Sequence, residues 1–423
     1  MRSLLVLAPC SRSALTRRLV TTQSFFHHHS IRQQPCLTTP TRKDFASYFF
    51  HNNNWDARQL TRLAYKPVEL LPTFRENAVL TPKRLLSIYA QLAKTRLTVL
   101  VMLTATSGVA LSPMPTTLPV LLSTALGTAL CSASANTLNQ LQEVPYDAQM
   151  VRTRQRPLVR HAVSPLHATC FAIVTGITGP ALLWTMTNPL TATIGAANIC
   201  LYAGLYTYLK RRTTLNTWVG AVVGGLPPLM GWTACGGKLL PTSDYPIQFF
   251  LPPFLTDIPP DVSMIDNPLG AFSLFMLLYS WQFPHFNALS HLLRASYAQA
   301  GYKMLTVLCP RKNALVSLRH TLLLVPICSI LFPLSGLTTW SFALTSLLPN
   351  CLWVRSAVGF WRSCGEKQAK SLFHTSLWYL PLMLALMMVH KQGVDWTDWG
   401  TGKGGDGMSK ISASDEGSQR KPV

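Results

Sequence analysis

The sequence predicts an all-α polytopic membrane protein with nine transmembrane helices. Of its 423 residues, 48% are hydrophobic and only 13% are charged, whereas soluble domains carry about 25% charged residues. Glu143 and Asp147 are the only acidic residues between 77 and 243, and residues 267–365 include no acidic residue. Membrane-embedded proteins exclude acids because a charge in hydrocarbon is costly. Ordinary cytosolic enzymes and disordered basic proteins are therefore excluded.

Stretches almost free of charged residues place the helices, since a transmembrane helix needs about 20 mostly apolar residues. Prolines at 113, 115 and 119 predict a turn in the first stretch, Asn188-Pro189 divides the second, and Gly336 divides the fifth. Each of these three stretches holds two helices, and each of the others holds one. For the fifth stretch this requires that the Arg319 side chain snorkels, so that its charge reaches the membrane surface. In chain order the stretches are Leu97–Gln142, His161–Leu209, Thr213–Gly237, Asn267–Leu293, Asn313–Val354 and Ser371–His390.

Basic residues orient these helices. The connections after helices 2, 4, 6 and 8 are rich in Lys and Arg, whereas the opposite connections carry only Lys238 together with acids. Positive residues are retained on the inner side of a membrane, so the N-terminus is expected inside and the C-terminus outside. The basic residues of the inner connections are Arg152, Arg154, Arg156 and Arg160, then Lys210, Arg211 and Arg212, then Arg294, Lys303, Arg311 and Lys312, and finally Arg362, Lys367 and Lys370.

The two ends of the chain differ from its apolar middle. Residues 1–80 begin with a basic, Ser- and Thr-rich segment without an acid before Asp44, which is typical of a mitochondrial transit peptide, here followed by a disordered extension. Residues 81–393 form the predicted transmembrane domain, and 394–423 a predicted disordered tail. The ten scattered cysteines predict neither disulfides nor a zinc site.

Asn139, Glu143 and Asp147 recur at four-residue intervals, so the first two share a helix face. Pro145 is expected to kink or end this helix and to bring Asp147 back toward the other two. Oxygen ligands of this kind suit Mg2+, and the three arginines of segment 152–156 suit phosphate oxygens. The pattern therefore predicts a Mg2+-diphosphate site. The alternative is that the two acids only form salt bridges with these arginines.

Two further inner segments carry candidate residues. Tyr206 precedes Lys210 and Arg211, and these two cations serve either membrane topology or phosphate binding. The sixth helix ends with residues 281–287, Trp-Gln-Phe-Pro-His-Phe-Asn. Its His285 is a candidate for a haem contact, a general base or a member of the metal shell. The alternative is a structural histidine whose hydrogen bonds are satisfied within the protein.

The first signature of the UbiA-type intramembrane prenyltransferases resembles one segment of this chain, in the form found in the haem O synthase branch. That segment reads Asn139-x3-Glu143-x3-Asp147-x2-Met150-x-Arg152-Thr153-x2-Arg156-Pro157-Leu158. Other segments are similar to the same branch, so that the resemblance covers roughly 85–393, and the basic N-terminal extension is similar to that of its mitochondrial member. These segments are Leu92–Leu97, Tyr206–Thr207 with Lys210–Arg211, Asn216–Gly231 and Trp281–Leu289.

The resemblance implies a UbiA-type bundle around an intramembrane cavity, with farnesyl diphosphate and haem b as substrates and haem O as product. It implies Mg2+ on Asn139, Glu143 and Asp147. The implied catalytic residues are Asp147, Arg152, Arg156, Lys210, Arg211 and His285. The implied substrate-binding residues are Lys94, Arg96, Tyr206, Asn216, Trp281 and Phe286. The family usually has an acidic pair shortly after the sixth helix, where this chain has Ala295 and Ser296.

The resemblance also implies a location in the mitochondrial inner membrane, with the N-terminus in the matrix and the C-terminus in the intermembrane space. The expected partners are the lipid bilayer and haem A synthase or oxidase assembly factors, and no nucleic acid. Two alternatives stay open at this point. One is a UbiA-type enzyme acting on a quinone-ring precursor. The other is an inner-membrane anion carrier, although carriers often show an internal repeat and this sequence shows none.

Overall fold

The computed structural model describes residues 81–243, 245–256 and 266–393. Within these ranges the chain is helical and contains no β-strand, only one isolated bridge between Thr338 and Lys391. The all-α prediction is thus confirmed for this part of the chain. The predicted transit peptide and extension (1–80) and the predicted tail (394–423) lie outside the described residues.

Fourteen α-helices and two π-helical segments form the described part of the chain. The α-helices are α1 (Pro82–Leu92), α2 (Thr95–Leu111), α3 (Leu118–Asp147), α4 (Pro165–Met186), α5 (Pro189–Ile199), α6 (Thr207–Leu209), α7 (Asn216–Ala234), α8 (Pro268–Leu292), α9 (Arg294–Gln299), α10 (Leu305–Leu308), α11 (Pro310–Pro326), α12 (Phe332–Leu334), α13 (Ser341–Ser363) and α14 (Glu366–Val389). The π-helical segments are Cys200–Tyr206, between α5 and α6, and Ile327–Leu331, between α11 and α12.

Four of these helices begin in the same way, with a polar cap followed by proline. Ser164 and Asn188 each accept a hydrogen bond from the backbone N–H three residues ahead, and Thr81 and Asn267 cap α1 and α8 similarly. The cap satisfies an unpaired N–H of the first turn, and proline at the first helical position loses no hydrogen bond. The breaks predicted near 113–119, at 188–189 and near 336 are all present.

Four helical segments within the described residues are long and apolar enough to cross a membrane: α3, α4, the continuous unit Pro310–Leu334, and α14. The pair α1 and α2, bent by 58°, makes a fifth if it forms one broken span. The nine-span topology therefore stays a prediction.

Neighbouring helices pack into a closed bundle. α2 packs against α3 and α7, α3 packs against α4, α7 against α8, and α8 against α11 and α14. α13 packs against α11 and α14, and α14 also contacts α2. Beyond α14, Lys391 Nζ donates to the carbonyls of Ala110 (2.7 Å) and Ser112 (2.9 Å) at the end of α2. A cation at a helix C-terminus is favourable. This contact joins the segment after α14 to the end of α2.

The backbones of α2 and α7 approach each other closely. A Cβ atom on Gly231 would lie 2.0 Å from the Ala105 carbonyl oxygen, and one on Gly108 would lie 2.2 Å from that of Pro228. Backbone atoms cannot move aside as a flexible side chain can, so these two positions require glycine. Small residues at such crossings are typical of membrane helix packing. The contact holds α7 beside α3 and its polar face.

Candidate active site

The site is built on the last two turns of α3. Asn139, Glu143 and Asp147 are each no more than 2% exposed. The helix continues through Pro145 and ends at Asp147. Glu143 and Asp147 both approach Arg156, in the loop that follows α3: its Nη1 donates to Asp147 Oδ2 and lies 3.7 Å from Glu143 Oε2. The two carboxylates therefore face the same space, as the four-residue spacing and Pro145 predicted.

Two lysines complete the cluster from other parts of the chain. Lys210, which follows α6, donates to Glu143 Oε1 at 2.7 Å. Lys94 lies at the elbow between α1 and α2 and has a left-handed backbone, with φ 51°. Its Nζ donates to Asn139 Oδ1 at 3.0 Å. Strained conformations of this kind are characteristic of functional sites, and here the elbow turns Lys94 toward α3.

The π-helical segment Cys200–Tyr206 forms one wall of the site. Tyr202 and Tyr206 stack with ring centroids 5.2 Å apart, and Lys94 Nζ donates to the Tyr202 hydroxyl at 3.4 Å. Thr207 Oγ1 accepts from Asn139 Nδ2 at 3.1 Å and thereby fixes the amide orientation. Single π-helical turns often occur at functional sites. This one brings two phenols and a hydroxyl to the polar face of α3.

A turn after α9 forms the opposite wall. Tyr302 is 2% exposed, and its ring centroid lies 4.6 Å from Lys210 Nζ. It packs against Tyr146, whose hydroxyl accepts from Arg211 Nη1 at 2.9 Å. Phe286 of α8 packs against the same cluster of buried residues. Lys210 is therefore enclosed by a carboxylate on one side and by aromatic rings on the other.

A mostly apolar cavity opens beside this cluster. It lies between α2, α3, α5 and α7, and Tyr202 is part of its lining. Its apolar walls include Leu97, Val101, Ile199 and Met230. This lining suits an apolar group whose polar end meets the charged cluster.

The charges of the cluster do not balance. Two carboxylates, Glu143 and Asp147, face the cations Lys94, Lys210 and Arg156. Within the described residues Asp147 Oδ1 is buried without a hydrogen-bond partner, so a carboxylate oxygen is available to a metal ion. Three half-buried basic side chains, together with a carboxylate oxygen that has no partner among the described residues, suit an anion that arrives with a divalent cation.

Comparison with known proteins places the chain in a family. Residues 100–378 match the UbiA prenyltransferase family. The chain belongs to this family. Two solved structures share the fold: a digeranylgeranylglyceryl phosphate synthase (TM-score 0.57, 14% identity, covering 72% of this chain and 98% of that one) and an apo UbiA homologue from Aeropyrum pernix K1 (TM-score 0.53, 17% identity, 70% and 97%).

Closer in sequence are curated relatives with the name protoheme IX farnesyltransferase, mitochondrial. The protein of Gibberella zeae is 44% identical over 328 residues, which cover 74% of this chain and 62% of the relative. That of Yarrowia lipolytica is 44% identical over 340 residues (77% and 66%), and the human protein is 43% identical over 305 residues (72% and 62%). The chain thus spans slightly less than two thirds of the length of these UbiA relatives.

Several predicted site residues of this UbiA protein lie outside the charged cluster. Arg96 and Arg152 are exposed, and none of their described contacts joins the charged cluster. Asn216 is buried, and its Nδ2 donates to the carbonyls of Thr213 (2.6 Å) and Lys303 (3.4 Å), so it holds two loops together. Arg211 reaches Tyr146 rather than a carboxylate.

His285 and Trp281 point toward α14. His285 Nδ1 lies 2.8 Å from Ser376 Oγ, and Trp281 Nε1 donates to the Ser376 carbonyl at 3.1 Å. The two rings stack with centroids 4.5 Å apart, and Phe373 lies on the other side of His285 at 5.1 Å. Ser376 gives His285 Nδ1 a hydrogen-bond partner within the protein, and the predicted catalytic role of His285 stays a prediction.

Sequence reasoning missed Tyr202 and Tyr302 as site residues and did not assign a role to Thr207. A signal for Tyr202 is present in the sequence, because Tyr202, Tyr206 and Lys210 recur at four-residue intervals, as Asn139, Glu143 and Asp147 do. No such periodicity marks Tyr302, which reaches the site through a turn and not through a helix face.

Proposed function

We propose that this chain transfers the farnesyl group of farnesyl diphosphate to a vinyl group of haem b, producing haem O and diphosphate. The observation that carries the proposal is the buried cluster of two carboxylates and three cations beside an apolar cavity. The curated relatives that are 43–44% identical, with the name protoheme IX farnesyltransferase, support the choice of substrates.

Diphosphate binding follows from the excess positive charge. A prenyl diphosphate carries several negative charges. Lys210 and Arg156 contact the carboxylates, and Lys94 contacts the neighbouring Asn139. In the ligand-free site these cations are held by Asn139, Glu143 and Asp147. When the diphosphate binds, its oxygens take over part of these contacts. Arg156 is well suited to this exchange, because a guanidinium can contact two oxygens at once.

The residues of the site also fit Mg2+. Asn139, Glu143 and Asp147 supply oxygen donors, the atoms that Mg2+ prefers, and Asp147 Oδ1 is buried without a partner among the described residues. We propose these three side chains as its ligands. When bound, Mg2+ would neutralise charge that develops on the diphosphate oxygens. The lysines and Arg156 stabilise the same charge from the other side.

The reaction begins when the bond between farnesyl C1 and the diphosphate oxygen breaks, and the electron pair leaves with diphosphate. The allylic cation is then attacked by the vinyl π electrons of haem b, which forms a carbon–carbon bond and leaves a cation next to the porphyrin ring. Water adds there and loses a proton, which gives the hydroxyl group of haem O. Preorganised cations stabilise the leaving group, and the apolar cavity shelters the farnesyl cation from premature reaction with water.

The proposal extends to residues outside the charged cluster and to the setting of the protein. Trp281 and Phe286 on α8 are proposed to contact haem b, Arg152 and Arg96 to attract the anionic substrate, and His285 to activate the water. We further propose nine transmembrane spans in the mitochondrial inner membrane, with the N-terminus in the matrix and the C-terminus in the intermembrane space. Haem A synthase or oxidase assembly factors are the proposed partners, since haem O must be passed on.

The deciding test is an assay of the purified full-length chain with haem b, farnesyl diphosphate and Mg2+, with haem O measured by chromatography and mass spectrometry. The wild type is expected to form haem O, and Asp147→Asn to reduce the rate by at least about 100-fold. Asp266→Asn is the matched control, because Asp266 is also a buried carboxylate but accepts from the backbone N–H of Lys238 at 2.8 and 2.9 Å.

The control variant is expected to lose stability but to keep its rate per folded molecule. If the folded wild type makes no haem O, the haem assignment is wrong. If it prenylates a quinone-ring precursor instead, the quinone alternative replaces it. An unchanged rate in Asp147→Asn would remove Asp147 from the proposed metal ligands.

A further inference from the structure

We propose that the hydroxyl of Tyr302 donates a hydrogen bond to the diphosphate group, so that Tyr302 contacts the substrate directly. The inference rests on the proposed function, because it requires that the cluster around Lys210 binds a diphosphate. It adds a residue that neither the charge pattern nor the four-residue periodicity of the sequence identified.

The first support is that the Tyr302 hydroxyl is a buried hydrogen-bond donor near a cation and has no partner among the described residues. Tyr302 is 2% exposed, and its hydroxyl has no hydrogen-bond partner among the described residues. Its ring centroid lies 4.6 Å from Lys210 Nζ, the cation that also holds Glu143. A buried hydroxyl without a partner is costly, and a ligand oxygen that accepts from it would remove that cost.

The second support is the protonation state. Burial raises the pKa of Tyr302 above its ordinary value, so the phenol keeps its proton at neutral pH and acts as a donor. A neutral donor suits this site, because it stabilises an anion without adding another positive charge to the three cations. The segment 294–304 contains no acid, so this part of the chain contributes a donor and no carboxylate.

The third support is that the turn carrying Tyr302 is tied to the site by its backbone. Gly301 has φ 72°, and a Cβ atom there would meet nothing within 4 Å. The turn therefore favours glycine because of its backbone conformation and not because of a lack of space. The N–H of Tyr302 donates to the Tyr297 carbonyl at 3.0 Å, and the N–H of Lys303 donates to the Lys210 carbonyl at 3.2 Å. The position of the phenol is therefore fixed relative to Lys210.

The opposing interpretation is that Tyr302 only fills space. Its ring does pack against Tyr146 and Tyr297, with centroids 5.5 and 6.0 Å away. The two interpretations differ for Tyr302→Phe, which keeps the ring and removes only the hydroxyl. A packing role predicts no change in ligand binding. A donor role predicts weaker binding and no loss of stability in the ligand-free protein, because that hydroxyl has no protein partner to lose.

The experiment measures binding of inorganic pyrophosphate, in the presence of Mg2+, to the detergent-solubilised full-length chain by titration calorimetry. Thermal unfolding is recorded with and without the ligand. Tyr302→Phe is expected to bind about 10- to 100-fold more weakly than wild type, with the ligand-free Tm unchanged or raised. Its kcat with farnesyl diphosphate is expected to fall as well, since the donor stabilises the departing diphosphate.

Tyr379→Phe is the matched control. Tyr379 is also fully buried, but its hydroxyl donates to Asn350 Oδ1 at 2.6 Å in the core between α13 and α14. This variant is expected to show the reverse pattern, with a lower Tm and wild-type affinity for pyrophosphate. The contrast separates loss of a ligand contact from loss of a structural hydrogen bond.

Each outcome decides between the two roles. Equal pyrophosphate affinity in wild type and Tyr302→Phe overturns the inference while leaving the proposed function intact. A lower ligand-free Tm in Tyr302→Phe, with affinity preserved in the folded fraction, assigns the residue a structural role and also overturns it. If the wild type itself binds no pyrophosphate, the proposed function fails first, and the inference fails with it.

Discussion

The half of the bundle formed by α2–α7 and the half formed by α8–α14 are packed in different ways. Inside the first half α3 buries mainly small and polar residues, such as Ser134, Asn136 and Thr137, next to a mostly apolar cavity. The second half is filled by large side chains. Trp353, Phe332, Phe342, Phe360 and Tyr379 are all completely buried there and belong to one hydrophobic cluster.

The charges follow the same division. Glu143 and Asp147 lie in the first half, whereas no residue from 267 to 365 is acidic. A binding site for an anionic substrate needs space, fixed charges and hydrogen-bond donors, all of which weaken a core. A densely packed aromatic core supplies the rigidity that holds them. We infer that the first half carries the charged chemistry and that the second half is mainly its scaffold, with Tyr302 and the proposed substrate contacts of α8 as the exceptions.

The largest expected effect tests the charged half. Lys210→Met removes the cation that contacts Glu143 at 2.7 Å and that we assign to the departing diphosphate. We expect kcat/KM to fall by about 1,000-fold, in the range found when a group that stabilises developing charge is removed. Haem O formation at several farnesyl diphosphate concentrations measures it.

Lys391→Met is the control for that variant. Lys391 is also partly buried, but its Nζ donates only to the end of α2, outside the charged cluster. Its loss should reduce stability by about 1–3 kcal/mol and leave the rate per folded molecule within about twofold of wild type. Similar activity losses in both lysine variants would contradict the division into a chemical half and a scaffold half.

A smaller effect tests helix packing in each half. In Gly231→Ala the new Cβ would lie 2.0 Å from the Ala105 carbonyl oxygen and 2.7 Å from the Val109 backbone nitrogen. Overpacking of this kind costs about 3 kcal/mol, so we expect a lower Tm and a lower yield of folded protein. Gly359→Ala on α13 would meet nothing within 4 Å.

The second glycine variant should be neutral, or stabilising by up to about 1 kcal/mol, because alanine favours a helix over glycine. Thermal unfolding of the two variants in the same detergent gives the comparison. A neutral Gly231→Ala would show that α2 and α7 can separate without cost, and the cavity between them would then have no fixed width.

The smallest expected effect on activity tests the planar shape of the Arg156 guanidinium and not its charge. Arg156→Lys keeps the positive charge but cannot contact Glu143, Asp147 and a phosphate group with a planar guanidinium. We expect kcat/KM to fall by about tenfold. Arg294→Lys, at the exposed first residue of α9, should have no effect, since this variant keeps the charge at an exposed position. Equal activity in the two variants would reduce Arg156 to a topological role.

Much of the site was predictable because its residues follow helix periodicity. The spacing of Asn139, Glu143 and Asp147 predicted their shared face, and their isolation in an acid-poor chain indicated a functional role. Lys210 was a candidate for phosphate binding from its basic segment, with membrane topology as the alternative, and Lys94 was predicted only through the resemblance to UbiA-type enzymes. Their contacts join residues 45 to 67 positions apart in the chain, and no local pattern encodes such distances.

His285 shows where sequence reasoning was least informative. For a histidine near the end of an apolar helix the sequence left a haem contact, a general base, a metal-shell member and a structural role open, and the structure places it beside Ser376 and two aromatic rings. Whether a polar side chain on a buried helix faces a site or a neighbouring helix depends on how that helix is rotated. Rotation is determined by packing with all the surrounding helices, to which the segment 281–287 contributes only one part.

The sequence by itself determined the helical class, the turns between helices and the three oxygen donors on α3. These features depend on hydrophobicity, on helix caps and on periodicity, which act over a few neighbouring residues. Only the tertiary structure decided which cations contact the carboxylates, where the cavity lies, and that Tyr302 faces Lys210. The physical reason is that these contacts join segments distant in sequence, which come together only when the bundle closes.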